Sequence, residues 1–199
     1  IKSNVPTISS VQPYTPLELE GRDIYIREGC YNCHSQMIRP FRSEVERYGD
    51  YSKAGEYVYD HPFQWGSRRT GPDLAREGVK GGKIYKPDSW HYEHFVNPQK
   101  TNIQSIMPPY PWLAENEIDI ELIPKKIRVM QKLGVPYPDG FDEKAIDDLK
   151  KQAAKIAGGL REAGIEVEDN KEIIALIAYM QRLGTDISKD PSSSATANK

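Results

Sequence analysis

Both cysteines of the chain stand in one short motif, Cys30-Tyr-Asn-Cys33-His34. Two thiols at this spacing can form a redox disulfide, supply half of a zinc site or attach a haem. A zinc site needs four ligands, and the other candidate pair, His91 and His94, lies far along the chain. A thioredoxin-like pair should follow a strand, whereas the residues before Cys30 predict a helix. The first two interpretations are therefore weak.

The histidine that follows the second cysteine favours the third interpretation. C-x-x-C-H is the attachment signature of c-type haem. The two thiols add to the two vinyl groups of the porphyrin as thioethers, and the imidazole of His34 is then tethered under the iron as an axial ligand. The chain has two cysteines in all, so none is left over. Because the pentapeptide can also occur by chance, this interpretation needs a second axial ligand and a pocket.

Methionine or histidine can take the second axial position. Met107 lies in a loop, "SIMPPYPW", where two prolines fix the backbone and can hold a thioether in one place. Met37 follows His34 too closely to reach the opposite face, and Met130 and Met180 lie on apolar faces of predicted helices. We predict His34 and Met107 as the iron ligands, a pair typical of electron carriers with no open coordination position. The competing side chains are His61, His91 and His94.

Helical patterns flank a long region with few periodic stretches. Thr15 and Glu18 predict a capping box at the start of a first helix that ends at Gly29. Ser89 is the predicted cap of a short helix. Further apolar-periodic segments span 124–134, 142–164 and 169–184. On the last but one, the predicted apolar stripe comprises Ile146, Leu149, Ala153, Ile156, Leu160 and Ala163.

Composition and charge exclude some classes of function and indicate how the chain is organised. The net charge of −2 argues against a nucleic-acid partner, because such proteins carry a basic excess. No run approaches the roughly 18 apolar residues of a membrane span. We expect an extended lead-in over 1–14, one domain over 15–185 and a disordered tail over 186–199. No catalytic residue is predicted.

Several motifs resemble class I cytochromes c. "GRDIY", with Gly21 and Tyr25, is similar to the N-terminal helix of that family, where the small residue permits close packing on the C-terminal helix. "GPDL" resembles the loop in which the Pro72 carbonyl accepts a hydrogen bond from the proximal histidine. "FVNP" followed by "SIMPPY" resembles the helix and loop that deliver the methionine ligand. The resemblance implies an all-α, class I cytochrome c-like domain with a long loop-rich insertion and extra helices before the C-terminal helix.

A narrower resemblance covers residues 15–113. "REGCYNCHSQMIRPF", "ERYGDYSKAGEYVYDHPFQWGSRRTGPDLAREG" and "MPPYPWL" are similar to the membrane-anchored mono-haem cytochrome c subunit of cbb3-type oxidases. The resemblance implies one haem c held by Cys30 and Cys33. The implied role is to pass electrons from a di-haem cytochrome c subunit, or a soluble cytochrome, to haem b of the catalytic haem-copper subunit. The alternative is a stand-alone soluble c-type cytochrome that shuttles electrons.

The same resemblance implies a cellular location and, through the haem, a set of residues that bind its propionates. The subunit would lie on the periplasmic side of the bacterial inner membrane, and the N-terminal anchor of the family is expected to be missing from these 199 residues. Haem propionates are anionic, so a buried site needs arginine or lysine donors. Arg39 and Arg69 are the predicted donors, with Arg42 and Arg68 as further candidates.

Overall fold

The computed structural model describes residues 8–66 and 68–189. This part of the chain is all-α, as predicted, with seven α-helices and several 3₁₀ turns. The β-type pairing among these residues is an isolated antiparallel bridge between Glu117 and Lys171. The helices are α1 (Pro16–Arg27), α2 (Arg42–Tyr48), α3 (Asp88–Val96), α4 (Pro98–Thr101), α5 (Ile123–Lys132), α6 (Phe141–Glu162) and α7 (Glu172–Arg182).

The described residues divide into two compact units. The helical unit comprises residues 14–29 and 86–180, and it contains α1, α3, α4, α5, α6 and most of α7. The loop unit comprises residues 8–13, 30–85 and 181–189, with α2 as its main helix. In the part of the chain that the structure describes, no helix is both long and apolar enough to cross a membrane.

The first helix begins at the predicted capping box. The Thr15 hydroxyl accepts a hydrogen bond from the Glu18 backbone N–H at 3.3 Å, and the Glu18 carboxylate accepts one from the Thr15 backbone N–H at 2.9 Å. Pro16 occupies the first helical position, where a missing N–H costs nothing. Gly29 follows the helix with φ 72°, a conformation that glycine adopts without strain. The sequence therefore predicted both ends of α1 correctly.

Close contact between α1 and α7 explains a glycine within the helical unit. A Cβ on Gly21 would lie 1.9 Å from the carbonyl oxygen of Ala175, so a side chain cannot fit there. One turn further along, the Tyr25 and Tyr179 rings meet edge to face with their centroids 5.5 Å apart. Both tyrosine side chains are almost fully buried. The packing that the resemblance implied for Gly21 is present.

The longest helix, α6, buries three of the six residues of the predicted stripe, Leu149, Ala153 and Leu160. Ala145 and Ala157 are buried, whereas Ile146 and Ile156 are half-buried and Ala163 is exposed. The reason is that α6 packs against both α1 and α5, and small alanine side chains let three helices approach closely where isoleucines would not fit.

The start of α3 also differs from the prediction. Ser89 is not its cap, because the helix begins at Asp88 with Pro87 in the capping position and without a side-chain hydrogen bond. Proline favours the extended conformation that precedes a helix, and Pro87 has φ −74° and ψ 164°. The proline thus fixes the boundary two residues earlier than the serine pattern indicated.

The loop unit is held together largely by polar contacts. Its small apolar cluster consists of Ile38, Tyr48 and Ala75. Beside the cluster, Arg76 and Glu56 form an ion pair at 2.7 Å with side chains 6% and 7% exposed. Arg76 also donates to the backbone carbonyls of Asp50, Tyr51 and Ala75. One buried guanidinium therefore orders much of the loop-rich insertion.

The structure describes parts of both predicted terminal segments, residues 8–14 of the lead-in and 186–189 of the tail. In the tail predicted to begin at residue 186, Ile187–Lys189 form a 3₁₀ turn and Asp186 accepts a hydrogen bond from the Gln12 backbone N–H at 2.8 Å. The rest of that tail, and residues 1–7 of the lead-in, lie outside the described residues.

Candidate functional site

The C-x-x-C-H motif forms a tight turn. Cys30–Asn32 make one turn of 3₁₀ helix. The backbone N–H groups of Cys33 and His34 both donate to the Cys30 carbonyl, at 3.1 and 3.0 Å. No disulfide joins the cysteines, and Cys30 is half-buried while Cys33 is exposed. Two thiols and an imidazole are thus presented from a single turn.

The ring of His34 is oriented by the segment around Pro72. The Nδ1 atom of His34 lies 3.0 Å from the Pro72 carbonyl oxygen. A carbonyl oxygen only accepts, so Nδ1 carries the proton and Nε2 carries the lone pair. Burial lowers the pKa of His34, while the Pro72 carbonyl and Asp73 act in the opposite direction. The imidazole is therefore neutral at pH 7, the form in which histidine binds metals.

A glycine lets the proline segment come this close. A Cβ on Gly71 would lie 2.3 Å from Cε1 of His34 and 2.8 Å from its Nδ1. Gly66 approaches from another direction, with φ 63° and a hypothetical Cβ 2.8 Å from the His34 carbonyl oxygen. Both positions exclude any side chain, and Gly66 also needs the left-handed conformation.

Backbone hydrogen bonds join the segment that contains His34 to the segment that contains Pro72. We call residues 33–37 the histidine loop and residues 71–75 the proline loop. The Gly71 backbone N–H donates to the Cys33 carbonyl at 3.0 Å, and the Leu74 N–H donates to the Ser35 carbonyl at 2.8 Å. The bond between His34 and Pro72 lies between these two backbone bonds along the chain.

Asp73 adds side-chain bonds between the same two loops. Its carboxylate is fully buried and accepts from the Ser35 hydroxyl at 2.6 Å and from the Met37 backbone N–H at 2.9 Å. The other carboxylate oxygen accepts from the Ala75 N–H at 2.9 Å. One carboxylate therefore fixes the histidine loop against the proline loop.

The two predicted propionate donors belong to an ionic network around this carboxylate. Arg69 donates from Nε to the Ser35 hydroxyl at 2.6 Å. Its Nη2 atom donates to Glu44 at 2.7 Å and to Asp73 at 3.2 Å. Arg39 pairs with the other oxygen of Glu44 and is 57% exposed, against 21% for Arg69. Hydrogen bonding from Arg69, and then from Arg39, lowers the pKa of Glu44 to about 2.

Met107 belongs to the helical unit. It is half-buried in the loop between α4 and a 3₁₀ turn at Pro111–Ala114, and its backbone N–H donates to the Ser105 hydroxyl at 3.3 Å. Two exposed neighbours, Ile103 and Ile106, precede it with 81% and 80% of their surface accessible. Met107 is thus held in an apolar loop that ends in two prolines.

The other candidate side chains serve packing. Met130 and Met180 are buried at 7% and 3% exposure in the helical unit. His91 is buried on α3, where its ring stacks on Phe95 and burial lowers its pKa to about 3. His94 stacks on Trp90 with ring centroids 4.3 Å apart. Burial of the two methionines and ring stacking of the two histidines are consistent with packing roles.

Sequence reasoning missed the residues that position the histidine. Asp73 stands inside the "GPDL" motif and Ser35 directly follows His34, yet neither spacing reveals that the two side chains meet. Glu44 lies on α2 with nothing in its local pattern to mark it. An aspartate after Gly-Pro, in a motif already thought to contact the histidine, was the available signal.

The motif fits a covalently attached haem. The tautomer of His34 leaves the lone pair on Nε2, the atom that would bind iron. Gly71 brings the backbone against the ring at Cε1, so the orientation does not depend on a flexible side chain. Cys30 and Cys33 are thiols on the same turn, as thioether attachment requires.

Comparison with known proteins extends the match beyond this turn. The family model described as "Cytochrome C oxidase, mono-heme subunit/FixO" matches residues 1–187. Among curated proteins no relative was found. The family match covers nearly the whole chain, including the motif, the proline loop and the segment around Met107.

Proposed function

The chain belongs to the family of mono-haem subunits of cytochrome c oxidase, and from this membership we propose that it is the electron-relay subunit of a cbb3-type respiratory oxidase. It would accept electrons from a di-haem cytochrome c subunit or a soluble cytochrome. It would pass them to haem b of the catalytic haem-copper subunit. Family membership favours this role over that of a stand-alone soluble cytochrome.

The proposal assigns the cofactor to the C-x-x-C-H turn. Cys30 and Cys33 would hold one haem c through thioether bonds, with His34 and Met107 as iron ligands. When bound, a haem with histidine and methionine ligands supplies one-electron chemistry at a raised reduction potential. The hydrogen bond from His34 Nδ1 to the Pro72 carbonyl is the observation that carries the proposal, because it prepares Nε2 as a ligand.

Arginine residues of the loop unit would bind the propionates. Arg39 is more than half exposed and Arg69 is already oriented by Glu44. A guanidinium has five N–H donors, so a contact with one carboxylate leaves capacity for another. We assign this role to Arg39 and Arg69.

The expected location is the periplasmic side of the bacterial inner membrane, within the oxidase complex. We assign residues 15–185 to the cytochrome c domain. Electron transfer of this kind makes or breaks no bond, so no catalytic residue is assigned.

A spectroscopic experiment tests the cofactor and its ligand together. The chain is produced with haem-maturation machinery, and a pyridine haemochrome spectrum is expected to show one c-type haem. Met107→Ala should remove the weak methionine-to-iron charge-transfer absorption and keep the haemochrome, because the thioethers remain. Met37→Ala is the control, since Met37 is a surface methionine with 38% exposure. A colourless product would refute the haem, and persistence of the band in Met107→Ala would refute the ligand.

A further inference from the structure

We propose that Asp73 is a positioning residue for the proximal histidine: through Ser35 it locks the Pro72 carbonyl onto Nδ1 of His34. The inference rests on the proposed function, because its purpose is to set the basicity of an iron ligand. Asp73 touches neither the imidazole by a hydrogen bond nor any reacting atom. It would act through the two loops that it joins.

The geometry of the carboxylate supports this role. Oδ2 of Asp73 accepts from the Ser35 hydroxyl and from the Met37 N–H, on the histidine loop. Oδ1 accepts from the Ala75 N–H, on its own loop. Backbone bonds from Gly71 to Cys33 and from Leu74 to Ser35 join the same loops, so the bond between His34 and Pro72 is enclosed by contacts on both sides.

Burial makes these bonds strong and hard to replace. Asp73 is 0% exposed, and a buried ionised carboxylate persists only where it is paired and hydrogen-bonded. Arg69 supplies the opposite charge at 3.2 Å and also donates to the Ser35 hydroxyl. Arg69 in turn is held by Glu44. An arginine and two carboxylates thus lie beside the two loops that hold the histidine.

The consequence for the ligand is electronic. A histidine that donates from its remote nitrogen to a well-placed acceptor is a more basic ligand, and its ring is held in one orientation. If the proline loop shifts, the Nδ1–H bond weakens and the ligand donates less electron density. The reduced state of the iron is then favoured, so the reduction potential should rise.

Three variants of the haem-loaded chain separate positioning from charge. Asp73→Asn removes the charge and replaces one acceptor oxygen by an NH2 donor, so the bond from either the Met37 N–H or the Ala75 N–H is lost. Ser35→Ala keeps the charge of Asp73 and its bond from the Met37 N–H, but removes the side-chain link through Ser35. Asp186→Asn is the control, because Asp186 is a buried carboxylate of the same unit that binds Arg182 and the Gln12 N–H. Asp186 does not join the two loops.

The main readout is hydrogen exchange of the His34 Nδ1 proton, followed by NMR in the reduced protein. We expect exchange about tenfold faster in both Asp73→Asn and Ser35→Ala, which is the effect of losing roughly one charge-assisted hydrogen bond. The reduction potential should rise in both variants. Asp186→Asn should change neither quantity, even if it lowers the midpoint of thermal unfolding.

The outcomes are distinguishable. If Ser35→Ala binds haem and its Nδ1 proton exchanges at the wild-type rate, Asp73 is merely structural and the inference is overturned. This variant decides the matter even if Asp73→Asn does not fold. A wild-type chain without haem would overturn the proposed function and the inference together, whereas a haem-loaded chain with unchanged exchange overturns the inference alone.

Discussion

At the scale of single residues, the position with the tightest steric constraint at the site is a glycine. Gly71 lies where a methyl group would overlap the His34 ring, at 2.3 Å from Cε1. Neither the ring nor the Gly71 backbone can move away easily. The ring is hydrogen-bonded to the Pro72 carbonyl, and the Gly71 N–H is hydrogen-bonded to the Cys33 carbonyl. The absence of a side chain is therefore part of the site.

Gly71→Ala should accordingly destabilise the chain by about 1–3 kcal/mol, the usual cost of forcing extra volume into a packed region. The ring or the proline loop has to move, so the hydrogen bond from Nδ1 should weaken as well. Urea unfolding of the haem-loaded protein measures the first effect.

Gly158→Ala is the matched control for this substitution. Nothing lies within 4 Å of a Cβ at Gly158 on α6. The change should stabilise the chain by about 0.5–1 kcal/mol, because alanine loses less backbone entropy in a helix. Equal effects of the two substitutions would show that Gly71 is not sterically constrained.

At the scale of elements, the ends of helices depend on local bonds. The capping box of α1 satisfies two backbone N–H donors within four residues. The Thr15 hydroxyl also donates to the Gln152 side chain at 2.6 Å. In α3 a proline takes the capping position, and Ser89 lies one residue inside the helix. Both residues have hydroxyl side chains near the start of a helix, but only Thr15 caps its helix.

Thr15→Ala should lower the free energy of unfolding by about 1 kcal/mol, the typical cost of losing an N-cap. Ser89→Ala should change it by less than about 0.5 kcal/mol, since Ser89 caps no helix. Thermal or urea unfolding of both variants under the same conditions provides the comparison. A larger loss for Ser89→Ala than for Thr15→Ala would contradict the assignment of the two caps.

At the scale of the whole molecule, acid should weaken the fold through Glu44. Hydrogen bonds from Arg69 and Arg39 lower the pKa of this carboxyl from its ordinary value of 4.5 to about 2. Because the folded state lowers the pKa, the stabilisation is complete above pH 4.5 and is lost as the pH falls through about 2. The free energy of unfolding should therefore decrease over that range.

Glu44→Gln should flatten this part of the pH profile and cost about 1–3 kcal/mol at neutral pH, where hydrogen bonds to charged groups are removed. Near pH 2 the variant and the wild type should converge. Glu46→Gln is the control, because Glu46 lies on the same helix, is 60% exposed and pairs with an exposed arginine. A Glu44→Gln profile parallel to that of the wild type would disprove the contribution of Glu44.

The all-α class, both ends of α1 and the family could be predicted from the sequence. The start of α1 follows from a capping box of four residues, whereas the fold class and the family follow from the resemblance of the longer motifs around C-x-x-C-H. The buried face of α6 was predicted only in part: Leu149, Ala153 and Leu160 are buried as expected, whereas Ala145 and Ala157 are buried because of the helices that pack against them. The roles of Met107, Arg39 and Arg69 in binding a haem stay predictions.

By itself the sequence favoured haem attachment at the motif, because a histidine follows the second of two cysteines at the C-x-x-C spacing. Only the tertiary structure decided how the imidazole is held. Ser35 and Asp73 are 38 residues apart, and Arg69 and Glu44 are 25 apart. Hydrogen bonds between such distant residues form only when the chain folds back on itself. They cannot be predicted from local helix propensity or from hydrophobic periodicity.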